Sequence, residues 1–173
     1  MHYSVHKACV SRDAQGPHDQ PATHMGPTGV YARSIDGIGT VQLGIAGDRV
    51  ISVSFPTHAP EDAATHPLLD RIADYAAGSA EDFRDVPIGL TLPTPQRRVL
   101  ETIRSVPYGD RADVELAARM TAGIDHTTTD GHNTVRTALE ANPVPLLVPD
   151  HRVENAPSSA PPRVAETLRN LER

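Results

Sequence analysis

The chain has 173 residues, 38% of them hydrophobic and 22% charged, with a formal net charge of −6 at pH 7. That length gives room for one ordinary domain or two small ones; a single cysteine, Cys9, excludes an intramolecular disulfide framework, and without a long apolar run or a signal-like start the expected location is the cytoplasm. Residues 1–89 hold 6 basic and 11 acidic groups and residues 90–173 hold 10 and 11, which argues against tight nucleic-acid binding unless the arginines cluster in space.

Residues 1–28 carry His, Pro, Gly, Asp and Gln without periodicity and read as a disordered lead. His2, His6, His18 and His24 lack paired ligand spacing, so no metal site is assigned to them. A strand-rich N-terminal domain is expected over residues 29–89. There Val30–Ile35, Thr40–Ile45 and Arg49–Phe55 alternate and are divided by the turn residues Asp36–Gly39 and Gly47–Asp48, which predicts an antiparallel meander. The stretch His66–Tyr75 begins an apolar stripe at positions 68, 69, 72, 73 and 76, predicting a helix that stops near Gly78.

Residues 90–173 read as a helical domain. A second helix is written from Thr94 to Ile103, with Thr94 as N-cap and Pro95 at the first helical position. Val106–Asp110 is a turn, Asp113–Met120 a short helix, His132–Ala141 another, and Arg163–Leu171 a last helix with Val164, Leu168 and Leu171 on one side. The polar groups Asp125-His126 and Asp130-Gly131-His132 between the two short helices read as hydration and N-capping rather than metal ligands. Two short helices joined by a loop are compatible with a helix-turn-helix, and the fold class expected is α+β.

The segment Asn142-Pro143-Val144-Pro145-Leu146-Leu147-Val148-Pro149-Asp150-His151-Arg152-Val153 carries the clearest motif. It resembles the active-site segment of the O6-alkylguanine-DNA alkyltransferases, N-P-x-P, three hydrophobic residues, then P-C-H-R-V. Four further phrases follow that family in order: His66-Pro67-Leu68-Leu69, Pro93–Leu100, Val106-Pro107-Tyr108-Gly109 and Leu116-Ala117. The resemblance covers residues 29 to the end. It implies a small β-meander plus helix N-terminal domain, followed over 90–173 by a winged helix-turn-helix-like DNA-binding domain.

In that family a Glu-His-water-Cys relay makes a thiolate that attacks the alkyl group of a flipped guanine. The resemblance places Asp150 at the acceptor cysteine, His151 at the base, Glu166 at the relay carboxylate and Asn142 at the residue ordering the turn. A carboxylate is already ionised near neutrality and needs no base, so Asp150 is expected to pair with His151 as a salt bridge. The family's tyrosine donor to the leaving guanine falls on Asp113. Its recognition helix R-A-V-G-x-A becomes Asn133-Thr134-Val135-Arg136-Thr137-Ala138, with Asn133 for the intercalating arginine and Arg136 for the close-packing glycine. Asn133, Thr134, Arg136 and Arg152 are the expected DNA-facing residues, Arg152 also bracing neighbouring helices. The lid is Ala156–Pro162, poor in groups that stack on or read a base.

The expected function is an alkyltransferase-like protein of DNA alkylation repair without alkyl-transfer activity, needing no cofactor or metal. Weak contact with double-stranded DNA and a repair-protein partner are the interactions implied, with no membrane and a monomeric state. Two alternatives stay open: a fold reused for protein or small-ligand binding without DNA, and an active transferase with Asp150 as carboxylate acceptor.

Overall fold

The computed structural model describes residues 28–173. The expected disordered lead (Thr28 apart), with His2, His6, His18, His24 and Cys9, lies outside the described residues. Strands β1 (Gly29–Ile35), β2 (Gly39–Ala46) and β3 (Arg49–Ser54) form an antiparallel sheet in chain order, the meander that the alternation predicts. Val41, Leu43 and Ile45 point inward from β2 with the period of two that a half-buried strand requires. Helix α1 (Pro67–Ala76) packs against β1 and buries Leu68, Leu69, Ile72 and Tyr75. Gly78, at φ 109°, lies just beyond its end, where a left-handed residue stops a helix.

Helix α2 (Thr94–Ile103), the two-residue strand β4 (Ala112–Asp113), α3 (Val114–Met120) and α4 (Thr129–Glu140) follow, and the three helices pack on one another. A 3₁₀ turn at Asp150–Arg152 leads into β5 (Val153–Glu154), which pairs in parallel with β4. Helix α5 (Pro162–Leu171) then packs on that turn. The whole is a mixed α/β arrangement of a small antiparallel sheet and five α-helices among the described residues.

Helices α3 and α5 start within one residue of the sequence reading, and the starts of α2 and α4 differ from it in ways that matter. Pro93, not Thr94, caps α2: its carbonyl accepts from Arg97 N at 3.0 Å, and Thr94 already lies inside the helix. Helix α4 begins three residues before His132, because Thr128 Oγ1 accepts from Gly131 N at 3.1 Å and caps a turn that includes the glycine. Gly131 is there for clearance: a Cβ at this position would overlap the carbonyl of Asp125.

A single apolar cluster runs from Leu43 and Val53 through Leu69 and Leu100 to Leu139, Leu147 and Leu168. Val53 N donates to Pro143 O at 2.9 Å, so β3 fixes the start of the 142–153 segment to the sheet. No helix among the described residues is long and apolar enough to cross a membrane.

Candidate functional site

The 142–153 segment folds around its asparagine. Asn142 Oδ1 accepts from Val144 N at 3.1 Å, and Asn142 Nδ2 donates to Val148 O at 3.2 Å and to Asp150 Oδ2 at 3.0 Å. Val148 N closes the turn onto Val144 O at 3.0 Å. Leu146 is held at φ 78°, a left-handed geometry that costs a non-glycine residue roughly 1–3 kcal/mol and persists because its side chain is buried and the turn is bonded on both sides. The product is a rigid 3₁₀ turn carrying Asp150, His151 and Arg152, all three buried.

Asp150 is 0% exposed. Its Oδ1 accepts from Ser158 Oγ at 2.7 Å; its Oδ2 accepts from Asn142 Nδ2 at 3.0 Å, and from the backbone N and Oγ of Ser159 at 2.9 Å each. Four donors are what makes burial of this carboxyl group tolerable. They also tie the lid, residues 156–162, to the turn.

The expected Asp150–His151 salt bridge is not formed. Successive residues of a 3₁₀ turn point roughly 120° apart, so the two side chains diverge. His151 Nε2 instead lies 3.0 Å from Glu172 Oε1. A carboxylate only accepts, so Nε2 carries the hydrogen, and Nδ1 is buried with no hydrogen-bond partner among the described residues.

Glu172, and not Glu166, is therefore the carboxylate behind the histidine. Glu166 is exposed on α5, whereas Glu172 extends the buried stripe of Val164 and Leu168 by one more turn. Glu172 collects Tyr75 Oη at 2.6 Å, Arg152 Nε and Nη2 at 2.8 Å each, and Arg111 Nη1 at 3.4 Å besides His151. Burial works against its ionisation, but the bonds from His151 and Arg152 outweigh it and hold its carboxyl well below the usual carboxylate range. Burial, with the same hydrogen bond, pushes the Tyr75 hydroxyl well up.

Arg152 is 2% exposed and spends its guanidinium on Glu172, Asp82 Oδ1 at 3.1 Å and Val106 O at 2.6 Å. It braces the connection before α2, the turn after α2 and the C-terminus, and is too enclosed to be the DNA-facing residue that was expected. The sequence reading gave no site role to Glu172, Tyr75 or Asp82, and none to Ser158 and Ser159 individually. Only Glu172 had a legible signal, the i, i+4, i+8 spacing from Val164.

No protein-family model matches the chain. It is 25% identical over 127 residues to the methylated-DNA–protein-cysteine methyltransferase of Metallosphaera sedula, covering 71% of this chain and 77% of that one. Over 97 residues it is 35% identical to the DNA base-flipping protein of Thermus thermophilus, covering 56% and 61%. Its fold matches the O6-methylguanine methyltransferase of Mycobacterium tuberculosis with a TM-score of 0.64 at 24% identity, over 83% of this chain and 92% of that one. The chain is thus similar in sequence to methylated-DNA–protein-cysteine methyltransferases and shares the fold of the O6-methylguanine methyltransferases. The Mycobacterium tuberculosis OGT in complex with DNA gives a TM-score of 0.56 at 23% identity, over 72% and 77%.

Asn133 and Arg136 are exposed on α4 and Thr134 is half-buried. Asn133, Thr134, Thr137 and Asp130 line a groove of about 380 Å³ against Pro93, Pro95 and Gln96 at the start of α2. Arg136 makes no hydrogen bond or ion pair with the described residues, and Asp113 is spent capping α3 through Leu116 N at 2.7 Å. Among the described residues no group of three or more His, Cys, Asp or Glu is placed to hold a metal ion. Asp125 accepts from Thr127 N at 2.9 Å and Thr127 Oγ1 at 2.6 Å, which holds its carboxyl below the usual range, and His132 Nε2 lies 2.7 Å from His126 O.

Proposed function

We propose that this protein is a non-catalytic alkyltransferase-like protein that contacts duplex DNA weakly through α4 and takes part in alkylation repair by binding rather than by alkyl transfer. One observation carries the reading: the residue in the acceptor position is Asp150, and both its carboxylate oxygens already accept hydrogen bonds in a site closed to solvent. An acceptor must present a free lone pair to an incoming alkyl carbon. Asp150 is 0% exposed, with three donors on Oδ2 and Ser158 Oγ on Oδ1, so an alkyl carbon reaches neither oxygen unless the 156–162 segment is released. Asp113, which stands where the resemblance places the family's tyrosine, is occupied in capping α3 through Leu116 N.

The similarity to a DNA base-flipping protein and to an OGT that has been solved with DNA supports the binding half of the proposal. Residues 29–89 then act as a strand-rich support, and residues 90–173 as a winged helix-turn-helix-like domain in which α3 and α4 are the helix pair, with Asn133, Thr134 and Arg136 toward the groove. Titration of an O6-methylguanine duplex against its unmodified twin at several salt concentrations tests it. A preference for the lesion, affinity falling with salt, and no mass gain on the protein are expected. Equal affinity for both duplexes, or a methyl adduct that Asp150→Asn abolishes, refutes it.

A further inference from the structure

Fifteen of the 16 basic residues are arginine, and five of them converge on one place in a chain whose net charge is −6. A groove of about 800 Å³ runs between β3, the connection that follows α1, and α2. Arg97, Arg98 and Arg104 reach it from α2, Arg49 from β3 and Arg84 from the connection, against only Asp85 and Glu101. The imbalance is larger than this count suggests. Asp85 is taken by Arg71, which donates to both its oxygens at 2.8 and 2.9 Å from outside the groove, and Glu101 meets only Arg97, at 3.9 Å between exposed side chains.

Arg98 makes no hydrogen bond or ion pair with the described residues. Arg104 is half-buried and hydrogen-bonded only to neutral carbonyls, those of Phe83 (2.8 Å) and Val86, while its Nε is buried with no partner among the described residues. Burial depresses its pKa, and the charge of Asp85 offsets this only in part. Arg84 donates to Ser105 O at 2.7 Å and Arg49 to Ile88 O at 3.1 Å, so each head is oriented by a carbonyl, and their nearest carboxylates, Asp82 at 3.9 Å and Asp48 at 3.7 Å, stand outside the groove lining. The wall between them, Val86–Leu90, is mostly apolar, and Val50 N and Gly89 N fix it to β3 through bonds of 3.0 and 2.9 Å to Pro87 O and Val50 O.

We propose that this groove binds a phosphate-bearing ligand of nucleotide size, with its phosphates over Arg97, Arg98 and Arg104 and its remaining bulk on the Val86–Leu90 wall. Planar guanidinium forks match phosphate oxygens bidentately, and the volume is that of an ordinary small-molecule site. The site is separate from the α4 groove, which shares none of its lining residues. Free nucleotide and a strand's phosphodiesters offer the same chemistry.

The test uses the full chain with fluorescent ATP, unlabelled pyrophosphate and a short single-stranded oligonucleotide as competitors, read by anisotropy. Submillimolar binding that weakens at least tenfold in Arg98→Gln and in Arg97→Gln, both at surface positions, and stays unchanged in Arg136→Gln is expected. Displacement by pyrophosphate alone assigns the site to free nucleotides; displacement by the oligonucleotide as well assigns it to strand phosphates. Absence of submillimolar binding, or binding indifferent to Arg97→Gln and Arg98→Gln, overturns the proposal, and neither result bears on lesion binding at α4.

Discussion

Replacing Glu172 by Gln tests the buried network more directly than any change at the acceptor position. Glu172 is 3% exposed and receives hydrogen bonds from Tyr75, His151, Arg111 and Arg152. Glutamine keeps the shape but removes the charge and turns two donor hydrogens toward Arg152, which then stays buried with Asp82 as its only carboxylate. Breaking a buried pair by removing one partner costs about 3–5 kcal/mol, a large part of a total stability of about 5–15 kcal/mol. Glu166→Gln, on the exposed face of α5, should stay within about 0.5 kcal/mol of the parent.

The pH dependence gives a second reading of the same variant. Because the folded Glu172 carboxyl lies below its unfolded value of about 4.3, its contribution is fully present above that pH and is lost as the pH falls toward the folded value. Urea midpoints at pH 6 and pH 3 should therefore fall further for the parent than for Glu172→Gln. Equal stability of Glu172→Gln and Glu166→Gln at pH 6, or parallel acid losses in parent and Glu172→Gln, would refute the assignment of Glu172 as the organising carboxylate.

Ser159→Ala should destabilise the fold by about 1.5–3 kcal/mol in urea titrations, the usual worth of a hydrogen bond to a charged group, and should increase proteolytic cleavage within residues 156–162. Asp150→Cys should give no methyl adduct by intact mass with an O6-methylguanine duplex, since Asp113 and Asn133 still stand at the positions of the family's donor and intercalating residue. Gly131→Ala should lower the melting temperature, as the new methyl group meets the Asp125 carbonyl at the start of α4; overpacking of this kind costs about 1–3 kcal/mol.

The meander, α1, α3 and α5 were legible because each writes its period in apolar residues: Val41, Leu43 and Ile45 in β2, or Leu68, Leu69 and Ile72 in α1. The start of α4 was not. Thr128 and Gly131 carry local turn chemistry, and only the carbonyl of Asp125 packed against the glycine makes that turn helical. At the site, Asn142 and His151 were legible through a motif with fixed spacing. The role of Glu172 falls on Glu166 in the sequence reading because alignment of a helix terminus from pattern ignores rotation, and six residues along a helix (about 600°) leave a side chain about 120° away from the starting direction. Ser158 and Ser159 were invisible because nothing in a Pro-Ser-Ser-Ala-Pro loop announces which buried acceptor its hydroxyls will meet.

These two carboxylates give the turn at 150–152 its character. Asp150 draws in the lid through Ser158 and Ser159, and Glu172 draws in α1 through Tyr75 and, with Arg152, the connection before α2. A thiol at position 150 is a weak acceptor and could not hold two serine hydroxyls and a backbone amide. The closed lid thus belongs to the oxygen at this position. With four donors on its carboxyl, Asp150 makes this turn a fastening between the sheet, the helices and the lid, and closure there opposes access to its oxygens.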